Sequence, residues 1–208
     1  RNQNTLFIAR GRLGIKPLYY ALLKNGLFLF SSELKAIHTH PEFVKEFDHF
    51  AIEEYFAYGY IPEPRTIYKY AQKLSPGYSI KLSSHSKQIQ PHQYWDVPFA
   101  PHSDMSEQAV EQELINRFRE AVDIHLMSEV PLGAFLSGGV DSSAVVAMMS
   151  GLMKDPVNTC SISFANPVFD ESKYAQEVAH RYHTQHYVDQ VEQDDFDLID
   201  KLAFLYDE

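Results

Sequence analysis

One heptapeptide constrains this chain more than any other stretch: Ser137-Gly138-Gly139-Val140-Asp141-Ser142-Ser143. An apolar run, residues 130–136, precedes it, and Ala144-Val145-Val146-Ala147-Met148-Met149 follows. The pattern is a strand, a two-glycine turn and a small-residue helix. Glycine lets the backbone approach a ligand with no Cβ in the way, and it adopts φ > 0 without strain. The first N–H groups of a helix lack intrahelical partners and carry the positive end of its dipole, so such a turn is an anion site. Three hydroxyls add donors, and Asp141 supplies the hard oxygen that Mg²⁺ prefers. A plain βα connection needs the glycines but neither the hydroxyls nor the carboxylate. The lysine of the G-x-x-x-x-G-K-S/T phosphate loop is absent. We read the string as a pyrophosphate-binding loop.

Around it, strands alternate with helices. A capping box of Asp104 and Glu107 opens a helix reaching about Met127, with Val110, Leu114, Phe118, Ala121, Val122 and Leu126 on one face. Strands are predicted at 130–136, 157–164 and 185–191, and helices at 172–182 and 195–206. That alternation predicts a parallel α/β sheet, with ligands at the carboxyl ends of its strands. The first half has another character. A strand at 5–10 is followed by a hairpin, 17–23 and 27–30, about Lys24-Asn25-Gly26. A helix capped by Ser31 or Ser32 carries Glu33 in its first turn, and another at 50–58 is capped by Asp48. Strands at 67–74 and 78–82 flank Ser75-Pro76-Gly77, and 83–90 is a polar loop. Prolines 98 and 101 mark a linker, 96–103, between domains at 1–95 and 104–208.

Charge follows the same division. Residues 1–103 carry 12 basic and 8 acidic side chains, a net of +4, and residues 104–208 carry 6 and 20, a net of −14. Nucleic-acid binding needs a basic footprint, which the second half lacks. Any nucleotide bound there depends on oriented amides and Mg²⁺, because the net field opposes it. No apolar run approaches the roughly 18 residues of a membrane span. One cysteine, Cys160, makes no intrachain disulfide, which fits a reducing, cytoplasmic setting. The chain starts at Arg1 and ends at Glu208 without start or stop signals, and we expect a piece open at both ends.

The loop string matches the PP-loop ATP pyrophosphatases. With its flanks, His125 through Ser143, it resembles the start of the synthetase domain of glutamine-hydrolysing asparagine synthetases. Thr159-Cys160-Ser161-Ile162-Ser163-Phe164 and Phe169-Asp170-Glu171-Ser172-Lys173-Tyr174-Ala175 resemble that family's next strand and helix start. Upstream, residues 9–20, 30–36, 58–68 and 74–77 resemble the later part of class II, N-terminal-nucleophile glutaminase domains. The resemblance implies an α+β glutaminase part followed by an α/β PP-loop part. It implies that Ser137, Gly138, Gly139, Asp141, Ser142 and Ser143 hold ATP's pyrophosphate, with Asp141 the Mg²⁺ ligand. Leu136 and Ile162 would line the nucleoside pocket, or be ordinary sheet core. The implied reaction is ATP- and glutamine-dependent amidation of a carboxylate, aspartate by default, through an acyl-adenylate. A homodimer is compatible with it. Two departures matter: Gly11 stands where the family has Asp, and the glutaminase cysteine belongs before Arg1. The resemblance places a catalytic lysine and a second Mg²⁺ carboxylate in segments after Glu208.

Other groups read as ordinary structure. Cys160 is expected to be a small core residue of a buried strand. His180, His183 and His186 straddle a helix end and a strand and are not expected to converge on a metal. Glu192, Asp194, Asp195 and Asp197 read as a solvated loop and helix start. The aromatic-rich stretch 55–70 reads as core. Two further functions stay open: a related amidotransferase or β-lactam-forming synthetase acting on another acid, and an ATP-binding piece without catalysis.

Overall fold

The structure is a computed structural model that describes residues 4–83, 88–99, 104–191 and 199–206. Contacts divide the chain into two units, Arg1–Ala100 with Ile199–Glu208, and Pro101–Leu198. The acid run at 192–197 and part of the linker and polar loop lie outside the described residues.

The first unit holds two three-stranded antiparallel sheets. Strands β1 (Thr5–Ala9), β5 (Tyr78–Ser83) and β6 (His92–Gln93) form one, in the order β1-β5-β6. Strands β2 (Tyr19–Leu22), β3 (Phe28–Ser31) and β4 (Gln72–Lys73) form the other, in the order β3-β2-β4. Successive side chains of a strand point to opposite faces, and β2 buries both. Tyr19 and Ala21 pack with Leu34 and Ile37 of helix α1 (Leu34–His38), while Tyr20 packs with Leu74, just after β4, and with Ile80 of the other sheet. Burial holds the Tyr20 phenol above its usual range, and its hydroxyl donates to Gln72 Oε1 at 2.6 Å. Helix α2 (His49–Tyr58) starts at Asp48, whose carboxylate accepts from Phe50 N–H, and ends at Gly59 with φ +78°. Helix α6 (Ile199–Leu205) joins this unit, where Lys35 Nζ reaches Phe204 O at 3.3 Å.

The expected hairpin forms about Lys24-Asn25-Gly26, with Gly26 at φ +87° and Asn25 Oδ1 accepting from Leu27 N–H. Other expectations are corrected. Helix α1 begins one residue late. Glu33 is its flanking residue, without a side-chain cap, and Ser31 Oγ accepts from Glu33 N–H. Of the strand at 67–74, only β4 forms. The buried Thr66 hydroxyl bonds the backbone of Tyr68 and Ala71, and such local bonds compete with a ladder. The aromatics of 55–70 are mostly not core: Tyr55, Phe56, Tyr58, Tyr60 and Tyr70 are exposed. Tyr68 alone among them packs against Phe43, edge to face at 5.5 Å, and against Phe47.

The first unit closes around Arg10. Its guanidinium, 8% exposed, donates to Lys16 O, Gly14 O and Leu74 O and pairs with Glu63 Oε1 at 2.5 Å. Those acceptors come from three separate stretches, so one side chain fixes the turn after β1 against the end of β4. Gly11, beside it, has no left-handed φ, and an added Cβ would meet nothing within 4 Å. Nothing in its surroundings requires glycine there.

The second unit contains α3 (Glu107–His125), β7 (Gly133–Phe135), α4 (Val140–Leu152), β8 (Asn158–Phe164), α5 (Ser172–Arg181) and β9 (Gln185–Val191). The three strands are parallel, in the order β7-β8-β9. Ser106 caps α3, its Oγ accepting from Ala109 N–H, in place of the Asp104 box. Val122 is buried and Phe118 and Leu126 pack beside it, whereas Val110 and Leu114 are exposed. β7 is shorter than the run 130–136 because Ser128 Oγ turns the chain at Val130. Leu136 and Val146 pack with Ala175 and Ala179 on one side of the sheet. On the other side Phe135, Ile162 and Tyr187 are exposed, and so is Cys160, which corrects its assignment to the core. It alternates with buried Thr159 and Ser161 and faces the side that α4 and α5 do not cover.

Arg10→Met is expected to destabilise the first unit by roughly 3 kcal/mol, since it strands the Glu63 carboxylate and three carbonyls. Gly11→Ala should instead stabilise by about 0.5 kcal/mol, through a less flexible unfolded chain. Urea unfolding followed by the fluorescence of the single tryptophan, Trp95, checks both.

Candidate functional site

The site starts where β7 ends. Leu136, fully buried, still pairs with β8 through its N–H to Cys160 O at 2.8 Å. Two residues beyond the Phe135–Cys160 pair, Ser137 and Ile162 stand at the same level. Gly138 then turns with φ +83°. A Cβ there would lie 2.5 Å from both Ala175 N and Tyr174 Cβ, so the turn and the first turn of α5 touch at a distance only glycine allows. Gly139 flanks α4 with φ −70°, and the first helical hydrogen bond runs from Ser143 N–H to Gly139 O at 3.0 Å. The N–H groups of Val140, Asp141 and Ser142 precede that bond and are the orphan donors of a helix start.

Side chains hold this turn open. Ser137 Oγ and Ser142 Oγ lie 3.0 Å apart, Gly139 N–H donates to Ser137 Oγ, and Ser142 Oγ contacts both Ser137 N and Gly139 O. Asp141 is exposed in the first turn of α4. The Ser143 hydroxyl is buried with no partner among the described atoms. The donor set therefore fits an anion, and a free carboxylate beside it fits a hard divalent cation.

Beside the loop a hollow of about 270 Å³ opens on the exposed side of the sheet. Its walls are largely apolar, Phe135, Leu136, Ile162, Phe164 and Phe169, with Ser137 at the loop end. The residues expected to bind the nucleotide, Leu136 through Ser143 and Ile162, thus gather toward the carboxyl end of β7 and β8. Leu136 and Ile162 do so unequally, since Leu136 is also core whereas Ile162 is 52% exposed. A larger hollow, about 490 Å³ among Phe118, Val122, Leu126 and Met149, shares only Ser142 with the loop and offers little polar chemistry.

Sequence reasoning passed over Asp170. Its carboxylate accepts from Ser172 Oγ at 2.9 Å, Ser172 N–H at 3.2 Å and Phe164 N–H at 3.4 Å, tying the end of β8 to the start of α5. Those bonds, Ser172's foremost, hold its carboxyl below the usual aspartate value. An acid just before a predicted helix was the available signal. The three histidines line one hollow of about 410 Å³, yet their rings are not grouped as metal ligands. His180 and His183 have rings 6.5 Å apart, and both ring nitrogens of His186 are taken by the hydroxyls of Thr159 and Ser161. No group of three metal-ligating side chains occurs among the described residues.

Fold and site together define a two-part protein, an antiparallel β unit followed by a parallel α/β unit with a glycine turn at a helix start. Comparison with known families is consistent along the chain. Residues 1–95 match the glutamine amidotransferase domain, and residues 113–208 match asparagine synthase. A protein of Methanocaldococcus jannaschii, provisionally named a glutamine-hydrolysing asparagine synthetase, is 38% identical over the whole of this chain and 41% of its own length. The glutamine-hydrolysing asparagine synthetase 3 of Bacillus subtilis is 36% identical over 84% of this chain and 28% of its own. The amidase chyE of Penicillium rubens is 31% identical over 86% and 27%. The chain belongs to the glutamine-hydrolysing asparagine synthetase family. It spans less than half the length of these relatives.

Gly138→Ala is expected to destabilise the second unit by roughly 2 kcal/mol, from its φ and its contact with α5. Gly139→Ala, whose added Cβ meets only Ser137 Oγ at 3.3 Å, should cost less than about 1 kcal/mol. Thermal melts followed by circular dichroism check the order; equal melting temperatures would contradict the close approach.

Proposed function

We propose that this chain is the junction of an ATP-dependent amidotransferase, carrying part of an N-terminal-nucleophile glutaminase and the ATP-binding half of a PP-loop synthetase. The observation that carries the reading is the anion loop in the same chain, and in the same order, as a glutamine amidotransferase domain. In the intact protein the carboxylate of an acid substrate attacks the α-phosphorus of ATP. The bond to the β-phosphate oxygen breaks, and pyrophosphate leaves. Ammonia released from glutamine then displaces AMP from the acyl-adenylate, giving an amide. Aspartate, giving asparagine, is the substrate that the names of most relatives favour. The amidase-named relative favours a second reading, the same chemistry on another acid.

The loop residues have definite parts in this scheme. The N–H groups of Val140, Asp141 and Ser142, with the hydroxyls of Ser137 and Ser142, orient the pyrophosphate and meet the charge that grows on it as it departs. Gly138 and Gly139 let the backbone come close. Leu136 and Ile162 bound the nucleoside on the apolar side. Asp141 is the residue that would hold Mg²⁺, which supplies charge neutralisation when bound. A local cation matters here because residues 104–208 carry a net −14. Glutamine hydrolysis is not assigned to any residue of this chain, since Cys160 lies inside β8 and is not an N-terminal nucleophile. A cytoplasmic setting suits a metabolic ligase with one free thiol, and no described helix is long and apolar enough to cross a membrane.

In the intact protein, Asp141→Ala is expected to lower ATP–pyrophosphate exchange by at least about a hundredfold, the scale of losing one electrostatic contact to the departing group. Near-normal exchange in a folded Asp141→Ala protein would sink the metal-ligand assignment.

A further inference from the structure

We propose that Glu171 reads the ribose hydroxyls of the nucleotide, an inference that rests on the ATP reading of the Ser137–Ser143 loop. Glu171 and Ser172 line the 270 Å³ hollow beside that loop, and Glu171 is the only acidic residue on its wall. Its neighbour Asp170 is fully engaged by Ser172 and Phe164 N–H. Glu171 is free of such duties. It occupies the flanking position before α5, yet its side chain makes no capping hydrogen bond. Only its backbone carbonyl is used, accepting from Tyr174 N–H at 3.0 Å and Ala175 N–H at 3.3 Å. Lys173, two residues on, lies over the Tyr174 ring.

Position assigns the part of the ligand. Gly138 of the phosphate loop presses on Tyr174 and Ala175. Glu171 is three to four residues back from them, about one helical turn or ~5 Å along the axis. The aromatic walls Phe164 and Phe169 bound the same hollow. A group one turn from the phosphates and beside an apolar base pocket stands at the sugar. Chemistry assigns the same partner. An ionised carboxylate is acceptor-only. Phosphate oxygens offer it nothing but repulsion, whereas a vicinal diol presents two donors to its two oxygens. A site that uses such hydroxyls rejects analogues lacking them.

Dissociation constants for ATP, 2′-deoxy-ATP, 3′-deoxy-ATP and inorganic pyrophosphate, each with Mg²⁺, test this on the wild type and on Glu171→Ala and Glu171→Gln. The wild type should prefer ATP over each deoxynucleotide by about tenfold, the low end for a hydrogen bond to a charged group at an exposed site. Glu171→Ala should lose that preference while keeping its melting temperature and pyrophosphate affinity, and Glu171→Gln should keep a smaller part of it. A preference unchanged in both variants would overturn the assignment, and so would a wild type without one. A loss of pyrophosphate affinity equal to that of ATP would place Glu171 at the phosphates and overturn it as well. If the wild type binds neither ATP nor pyrophosphate, the ATP reading itself fails, a result distinct from the others.

Discussion

The contact of Gly138 with the first turn of α5 is the constraint from which the second unit follows. The chain leaves β7 paired to β8, turns through a left-handed glycine, and enters α4 within three residues. Because no Cβ intervenes, α5 comes against the turn at backbone distance. Leu136, Val146, Ala175 and Ala179 then close into one core directly beneath it. The same turn opens α4, whose first N–H groups have no intrahelical partner. Packing and the proposed anion site therefore share one residue, and a side chain at 138 would disturb both.

Arg10 plays a comparable part in the first unit, by a different force. A buried guanidinium is costly unless its donors are met, and here the carbonyls of Gly14, Lys16 and Leu74 and the Glu63 carboxylate meet them. The turn around Gly11, Gly14 and Gly77 is built to deliver these acceptors: Gly11 O accepts from the N–H of both Gly14 and Gly77. Gly14 and Gly77 need their positive φ, with Pro76 and Trp95 crowded against them, while Gly11 does not. The departure at Gly11 is thus a local change with no structural demand behind it.

Much of the second unit was legible because apolar period and glycine placement are local properties. β9 was predicted to its exact bounds and β8 and α5 within one residue, and the gathering of Leu136 and Ile162 at the loop follows from the parallel register. What was not legible depended on partners distant in sequence. Cys160 alternates correctly within β8, but which side of the sheet is covered is decided by where α4 and α5 pack. The aromatics from Tyr55 to Tyr60 are spaced like a core face, and yet they stay exposed because only Ala51 of α2 is buried. Thr66 defeated a strand prediction with one side-chain hydroxyl, a competition that propensity does not register. Glu171 was noted only as part of a resemblance, because its role needs the hollow to be seen.

The exposure of Cys160 gives the most direct test of the central claim, that the hollow beside the Ser137–Ser143 loop receives the nucleoside of ATP. Its thiol, the only one in the chain, lines that hollow. Alkylation of Cys160 by iodoacetamide can be timed by mass spectrometry with no ligand, with Mg²⁺ and pyrophosphate, and with Mg²⁺ and ATP. The account predicts marked protection by ATP and little by pyrophosphate, which fills only the loop. Equal alkylation rates under saturating ATP would contradict it.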